Sequence, residues 1–376
     1  MGLTTLDVVQ RVSEPVVLGG KSRSDAVELA AGGPAANAAV TAAALLHRGA
    51  VTLISAVGTG VAADVVRADL TACGVRLVDL VAPDHGGAGG AARGPARGPA
   101  RGGVAGGDGG AWALPVATCV VHADGERTVV SPGAQSSTWN LSDEARDEIA
   151  RAAAVLVDGH HPVAGEAALH LARAGRVTTV LDAGSVKAHV EGWLRLVDVA
   201  AASSAYGRQL GLHPSGTLDH LLESGCGTAL VTDGPRAVRW RSARGGSEGA
   251  VTPPAVTAVD SLGAGDAFHG ALVAALAQGQ ALPGAVGLAC RVAAVRVSHA
   301  SSVAGSPTSR QRWDHAPERT CRRRDHQPGE RRPVDVTAAG RLGRTSRPTK
   351  EQPCSPASWR SSAPWRPSSS ARTAPS

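Results

Sequence analysis

The sequence predicts an α/β fold with a mostly parallel central sheet. Three observations carry that prediction. Strand-length runs of Val, Leu and Ala alternate with helical segments, as in Val51–Val57, Ala62–Cys73 and Arg76–Val81, an order that builds parallel sheets. Two glycine turns, Gly32-Gly33-Pro34 and Gly263-Ala264-Gly265, each lead into a run of small residues at helical length. Asp124-Gly125 sits between two strand-like runs, Trp112–Ala123 and Glu126–Ser131. An Asp-Gly pair in that position marks a hairpin.

Taken in order, residues 2–12 read as the end of one strand, a turn and a second strand, with Asp7 an isolated acid among apolar and hydroxyl residues. Val16–Leu18 and Ala26–Leu29 add short strands. Pro34 suits the first turn of a helix, and Asn37 falls in that turn ahead of the Ala-rich run Ala38–Leu46. Residues 85–110, rich in Gly with an ARGP repeat, cannot bury enough apolar surface to fold and read as a mobile surface insertion. A helix over 141–154 opens with Ser142-Asp143-Glu144. The strand Ala153–Val157 then ends in Asp158-Gly159-His160-His161, whose adjacent histidines read as a loop feature.

A helix over Ala164–Ala174 leads to the strand Thr178–Leu181 and the segment Asp182–Lys187. Small residues and a lysine there lie at the carboxyl end of a parallel strand, where α/β proteins bind ligands. A strand over Leu194–Ala201, helices over Tyr206–Leu212 and Thr217–Gly225, and the strand Thr228–Thr232 before Asp233-Gly234 come next. Val238–Arg241 reads as an edge strand, and helices follow at about 267–278 and 283–298.

At 376 residues the chain can bury a sizeable core. With one Phe and one Tyr, that core is expected to consist of Val, Leu and Ala. Cys73, Cys119, Cys226, Cys290, Cys321 and Cys354 show no CxxC or metal-ligand spacing, so they read as reduced thiols. The opening MGLTTLDVVQRV lacks a basic-then-apolar signal pattern, and no apolar run approaches the ~20 residues that span a bilayer. A soluble, cytoplasmic protein without a membrane partner is the expectation. The net charge is +6, but residues 310–376 carry +9 and residues 1–309 carry −3. The basicity therefore belongs to a tail that reads as disordered, and it gives no ground for nucleic-acid binding by the folded part.

The chemistry concentrates in Val259–Ala271, VDSLGAGDAFHGA. Glycines ahead of a helix turn the backbone tightly and leave its first N–H groups free, so the positive end of the helix can hold an anion. Asp266 beside such a site suits phosphoryl transfer, in which a carboxylate takes the proton of an acceptor hydroxyl. A plain glycine loop capped by Asp fits the stretch as well, and a capped, buried helix with a satisfied Asn fits residues 32–46.

Two motifs, GG-x-x-x-N at Gly32–Asn37 and D-S-L-G-A-G-D at Asp260–Asp266, make residues 2–309 resemble the ribokinase-like (PfkB-type) carbohydrate kinases. VLDAGSVKAHVEGWLRLVDVAAAS resembles that family's middle, and VTDGPRAV its T-x-G nucleotide loop. The resemblance implies a three-layer α/β/α domain over 1–309. Its small β-sheet lid would be built from strands at about 6–29 and 112–131. It implies ATP-dependent phosphorylation of a sugar or sugar-acid hydroxyl, with a nucleoside kinase or a non-catalytic sensor as alternatives. Asp266 would be the base and Gly263, Ala264 and Gly265 the anion hole. Asp7, Gly33 and Asn37 would hold the sugar, and Thr232, Gly234 and Lys187 would lie on the nucleotide side. Mg²⁺ would accompany ATP, Asp260 would serve a monovalent-cation site for K⁺, and the lid could pair two copies. The sequence departs from the family pattern at Ser203-Ser204-Ala205-Tyr206, where N-x-x-E is expected, and at Ser261 and Ala237. Met1 directly precedes Gly2, where the family carries a strand.

Overall fold

In a computed structural model that describes residues 1–17, 19–81, 112–123, 127–132, 138–243 and 245–299, the apolar runs become strands and the segments between them helices. The chain opens with β1 (Thr5–Val12), β2 (Ala26–Gly32), α1 (Pro34–Leu45), β3 (Thr52–Ser55), α2 (Val61–Ala72) and β4 (Arg76–Asp79). Next come β5 (Val116–His122), β6 (Arg127–Val130), α3 (Asp143–Arg151), β7 (Ala154–Val157), α4 (Pro162–Ala174) and β8 (Thr178–Ala183). After α5 (Val190–Trp193) and a 3-10 turn, Leu194–Leu196, follow β9 (Val199–Ser203), α6 (Ser204–Gln209), α7 (Pro214–Glu223) and β10 (Thr228–Asp233). The last elements are β11 (Arg236–Ser242), β12 (Glu248–Val251), α8 (Ala264–Ala277) and α9 (Leu282–Val297). The Gly/Arg-rich insertion, the Asp124-Gly125 turn and the basic tail lie outside the described residues.

Six strands form one sheet in the order β12-β11-β10-β9-β8-β7. From β7 to β10 the pairing is parallel, and β11 and β12 are added antiparallel. Strands β3 and β4 make a separate parallel pair. Because side chains alternate across a strand, Leu181 and Ala200 face one core with Trp193, Leu194 and Leu169. Val180 and Ala201 face the other, with Phe268, Leu272 and Val286. Helices therefore cover both faces, the three-layer arrangement expected.

A second sheet has the order β2-β1-β5-β6, with β1 parallel to β5 and the other pairs antiparallel. Its inner face buries Val9, Ala30, Cys119 and Val121 against Leu262, next to the glycine loop. Arg127 donates to Ser261 Oγ at 2.7 Å. This small sheet thus touches the Val259–Ala271 stretch directly.

Helices α1 and α8 meet at very short range. A Cβ on Gly270 would stand 2.3 Å from the Ala38 carbonyl oxygen and 2.9 Å from Thr41 Cβ, which explains why α8 carries glycine here against the Ala-rich α1. Gly270→Val should cost roughly 3 kcal/mol, the upper range for overpacking a filled core. A thermal melt of that variant checks the expectation.

Several local expectations change. Leu194 lies in a 3-10 turn rather than a strand. Trp193, fully buried, packs against Gly165 of α4 and pulls the chain under that helix. Val16 and Val17 are exposed and belong to no strand, and Leu18 lies outside the described residues. Strand β12, which the sequence does not announce, adds to β11 through Val238–Val251 and Trp240–Gly249 pairs.

Candidate active site

Helix α8 begins at Gly263, whose φ of 70° lies in the left-handed region that glycine adopts without steric cost. No side chain caps this end. The Ala264 N–H reaches back weakly to the Ser261 carbonyl at 3.3 Å, and the N–H groups of Gly265 and Asp266 head the helix beyond it. Helix α1 starts the same way at Gly33, with φ 89° and no side-chain cap. A Cβ there would lie 2.6 Å from the Leu3 carbonyl oxygen, so position 33 excludes any larger residue.

The two uncapped helix starts are joined by one bond. Asn37 Nδ2 donates to Asp266 Oδ2 at 2.8 Å. Asn37 is buried, and its Oδ1 has no hydrogen-bond partner among the described residues. A buried amide oxygen without a donor is costly unless a ligand supplies one. Gly263 lies beside the same pair, its Cβ position 3.6 Å from Asn37 Nδ2 and 3.8 Å from Asp266 Oδ2.

Behind Asp266 stand two groups that sequence reasoning did not single out. Asp182, at the end of β8, lies 3.3 Å from His269 Nδ1, and His269 Nε2 lies 3.2 Å from the Ala201 carbonyl. A carbonyl only accepts, so Nε2 carries hydrogen and Nδ1 faces the buried Asp182 carboxylate. Burial raises the Asp182 pKa. Burial, then the charge of Asp182, pushes Asp266 up to about 6, and the Asn37 bond offsets part of that rise. The spacing of His269 one helical turn after Asp266 is the one sequence signal that could have drawn attention to it.

Asp7 is buried in β1 and accepts from Thr5 Oγ1 at 2.5 Å. Its carboxyl group lies where a Cβ on Gly32 would be, against the turn that starts α1, and burial raises its pKa. Asp7 therefore lies against the Gly32-Gly33 turn that starts the helix carrying Asn37.

Asp158 closes the site from β7. It accepts from the Leu3 N–H at 2.8 Å and the His160 N–H at 2.9 Å. Burial alone would raise its pKa, but His160 and these N–H donors hold it well below the usual carboxylate range. Lys187 Nζ donates to the Asp158 carbonyl and to Ser185 Oγ, both at 3.3 Å. Lys187 thus sits at the ends of β7 and β8. Thr232 and Gly234 stand at the end of β10, with Thr232 Oγ1 3.5 Å from the Ala202 carbonyl. The structure brings Asp266, Gly263 and Asn37 together and leaves Thr232 and Gly234 two strands away from Lys187.

Asp260 stands between two arginines. Its carboxylate is almost fully buried, and both Arg11 and Arg296 reach its Oδ2 at 3.5 Å. Two guanidinium groups therefore face this acid and offset its charge.

Residues 1–91 and 114–309 match the pfkB family of carbohydrate kinases. The chain belongs to that family. A candidate ribokinase from Agrobacterium tumefaciens is 25% identical, with a TM-score of 0.66 over 84% of this chain and 95% of the other. The ribokinase of Arabidopsis thaliana, solved with ribose and ATP, superposes with a TM-score of 0.60 at 16% identity, covering 83% of this chain and 96% of its own. An adenosine kinase from Sinorhizobium meliloti gives 0.61 at 17% identity, covering 83% and 97%. The fold is that of the ribokinases, and the family makes the chain a phosphotransferase of the carbohydrate-kinase kind.

Within this pfkB-family chain, the place of the acidic N-x-x-E element is taken by a helix start. Ser203 Oγ accepts from the Tyr206 N–H and donates to the Gly184 carbonyl, and Tyr206 is buried. No group of three or more His, Cys, Asp or Glu side chains among the described residues could hold a metal ion. Mg²⁺ usually binds through substrate phosphates, water and one or two carboxylates. The residues present fit an ion that arrives on ATP. No helix among the described residues is long and apolar enough to cross a membrane.

Proposed function

We propose that this kinase transfers the γ-phosphoryl group of ATP to a hydroxyl of a sugar or sugar acid. The observation that carries the reading is the Asn37–Asp266 bond between two uncapped helix starts, with Asn37 Oδ1 left to accept from a substrate hydroxyl. Asp7, Gly33 and Asn37 hold the acceptor, since a carboxylate and an amide are matched to several hydroxyls. Asp266 removes the proton of the attacking hydroxyl. Its oxygen bonds to the γ-phosphorus as the bond to the β,γ-bridging oxygen breaks, and ADP leaves. Gly263, Ala264 and Gly265 line the positive end of α8, where the transferring phosphoryl oxygens gain most from free N–H groups and the helix dipole. Thr232, Gly234 and Lys187 lie along the nucleotide. Mg²⁺ bound to the ATP phosphates would offset their charge.

The small sheet acts as a lid. Its Arg11 and Arg127 hold Asp260 and Ser261, which ties the lid to the anion loop, where it would exclude water as a competing acceptor. The outer face of the lid exposes Leu29 and Val130, in register through Val8 and Thr118. This face supports a homodimer. Light scattering should give twice the chain mass, reduced to one chain by Leu29→Arg. Buried cysteines that form no disulfide among the described residues and the use of ATP support a cytoplasmic location.

A thermal-shift panel of pentoses, ketohexoses, sugar acids and adenosine, paired with an ADP assay, tests the reading. A ligand that binds only the native state raises its melting temperature. A sugar or sugar acid should both stabilise the protein and release ADP. Release with adenosine alone would make it a nucleoside kinase, and sugar binding without ADP would make it a sensor.

A further inference from the structure

The underside of the small sheet carries a second carboxylate beside Asp7. In β2, Val27 and Leu29 are exposed while Ala30 is buried, so Glu28 and Ala30 face inward. The register agrees. Glu28 pairs directly with the fully buried Val9, and Ala30 pairs with Asp7. Residues opposite each other in an antiparallel pair share a face. Asp7, Val9, Ala30 and Glu28 therefore form one patch, on the face that packs against Leu262 of the glycine loop.

Glu28 Oε2 is buried and makes no hydrogen bond to any described residue. A carboxylate oxygen taken out of water without a donor is costly. The arginines on this face and around the loop reach other partners. Arg11 and Arg296 both meet Asp260 at 3.5 Å, and Arg127 donates to Ser261. Arg11, which pairs with Ala26 one step along the same face, is the internal rival for Glu28, and Asp260 holds it.

Asn37 is in the same condition. It is only 8% exposed, its amide N–H goes to Asp266, and its Oδ1 has no partner among the described residues. Ionised carboxylates and an amide oxygen only accept hydrogen bonds. A ligand that reaches Asp7, Glu28 and Asn37 must therefore donate to all three. Sugar hydroxyls donate, and so does an ammonium group. A ligand carboxylate has no hydrogen to give and would meet charge of its own sign. Glu28 and Asp7 are diagonal neighbours, roughly 7–8 Å apart along the sheet, a span that hydroxyls on successive carbons of one sugar can bridge.

We propose that Glu28 is a specificity-determining residue of the acceptor site, which takes a neutral or amine-bearing sugar and rejects a sugar carboxylate. The inference rests on the reading that Asp7 and Asn37 hold the acceptor, and it narrows the class of that acceptor. Glu28 extends the row of acceptor atoms outward from Asp7 along the lid.

The test uses matched probes that each keep a terminal hydroxyl: glucose, glucosamine and gluconate; ribose and ribonate; fructose and 2-ketogluconate. Melting-temperature shifts read binding, and ADP release reads transfer. In the preferred set, the neutral or amino member should exceed the acid at least 100-fold in kcat/KM, since like charges facing each other cost several kcal/mol. Glu28→Gln should raise the KM of the preferred sugar at least tenfold, the usual worth of a hydrogen bond to a charged group. It should also narrow the preference over the acid at least tenfold, which a purely structural residue would not do. Preference for an acid, or stabilisation by none of the probes, would overturn the proposal. So would a Glu28→Gln protein that melts lower but keeps every KM within twofold, because Glu28 would then serve a partner within the protein such as Arg11. Sugars that stabilise the protein in the expected order without releasing ADP would refute the kinase reading and leave this proposal standing. ADP release that is fastest with an acid would do the reverse.

Discussion

Replacing Asp266 with Asn should lower kcat by about 10²–10⁴-fold, the usual worth of a general base, without unfolding the protein. Asn keeps the size of the side chain and can still accept from Asn37 Nδ2. The melting temperature carries a second, opposite expectation. The Asp266 pKa is raised to about 6 in the folded state, above its ordinary value. The folded protein therefore binds this proton more tightly than the unfolded chain. The sign follows: the group favours folding at low pH, and that contribution is lost as pH rises through about 6. At pH 8 the ionised Asp266 burdens the folded state, and Asp266→Asn should melt at the same temperature or higher. Loss of activity together with unchanged or raised stability separates a reacting group from a structural one. The parent enzyme should show kcat/KM rising with pH and levelling off above about 6, because only the ionised carboxylate can take the hydroxyl proton. A profile flat between pH 5 and 7 would contradict this.

Asp260→Ala should be the most damaging single change outside the base. It leaves Arg11 and the buried Arg296 facing one another without their shared carboxylate. Removing one partner from a buried ion pair costs about 3–5 kcal/mol, which corresponds to a fall of roughly 10 °C in melting temperature for a domain of this size. Because the guanidinium groups already neutralise Asp260, exchanging K⁺ for Na⁺ or tetramethylammonium should change the activity of the parent protein less than about twofold. A strong, selective K⁺ requirement would show that a cation displaces the arginines.

Much of this arrangement was legible in the residues themselves. A glycine that must take a left-handed conformation before an Ala-rich helix leaves a clear mark in a sequence, so Gly33 and Gly263 located both helix starts that bear on the site. Asn37 and Asp266 follow each by a fixed few residues, and the structure joins them with a hydrogen bond. The parallel strands were readable because a strand buried on both faces is an unbroken apolar run. What escaped was whatever depends on contacts between distant segments. Nothing local marks Asp182 as the neighbour of His269, and nothing in α9 shows that Arg296 turns inward onto Asp260. The cation site was expected by likeness to a family, and nothing local announced the two arginines that face Asp260. Strand β12 escaped because its residues, Glu248–Val251, carry little apolar signal and owe their form to the edge of β11.

The most direct test of the whole account follows the phosphorus. ³¹P NMR of the protein with ATP, Mg²⁺ and the stabilising sugar should show the γ-phosphate signal replaced by one new phosphomonoester signal, with ADP formed in equal amount. The same mixture with Asp266→Asn should stay unchanged over that time. Inorganic phosphate in place of the ester, or ester formation at the parent rate by Asp266→Asn, would contradict the claim that Asp266 directs phosphoryl transfer to a sugar hydroxyl.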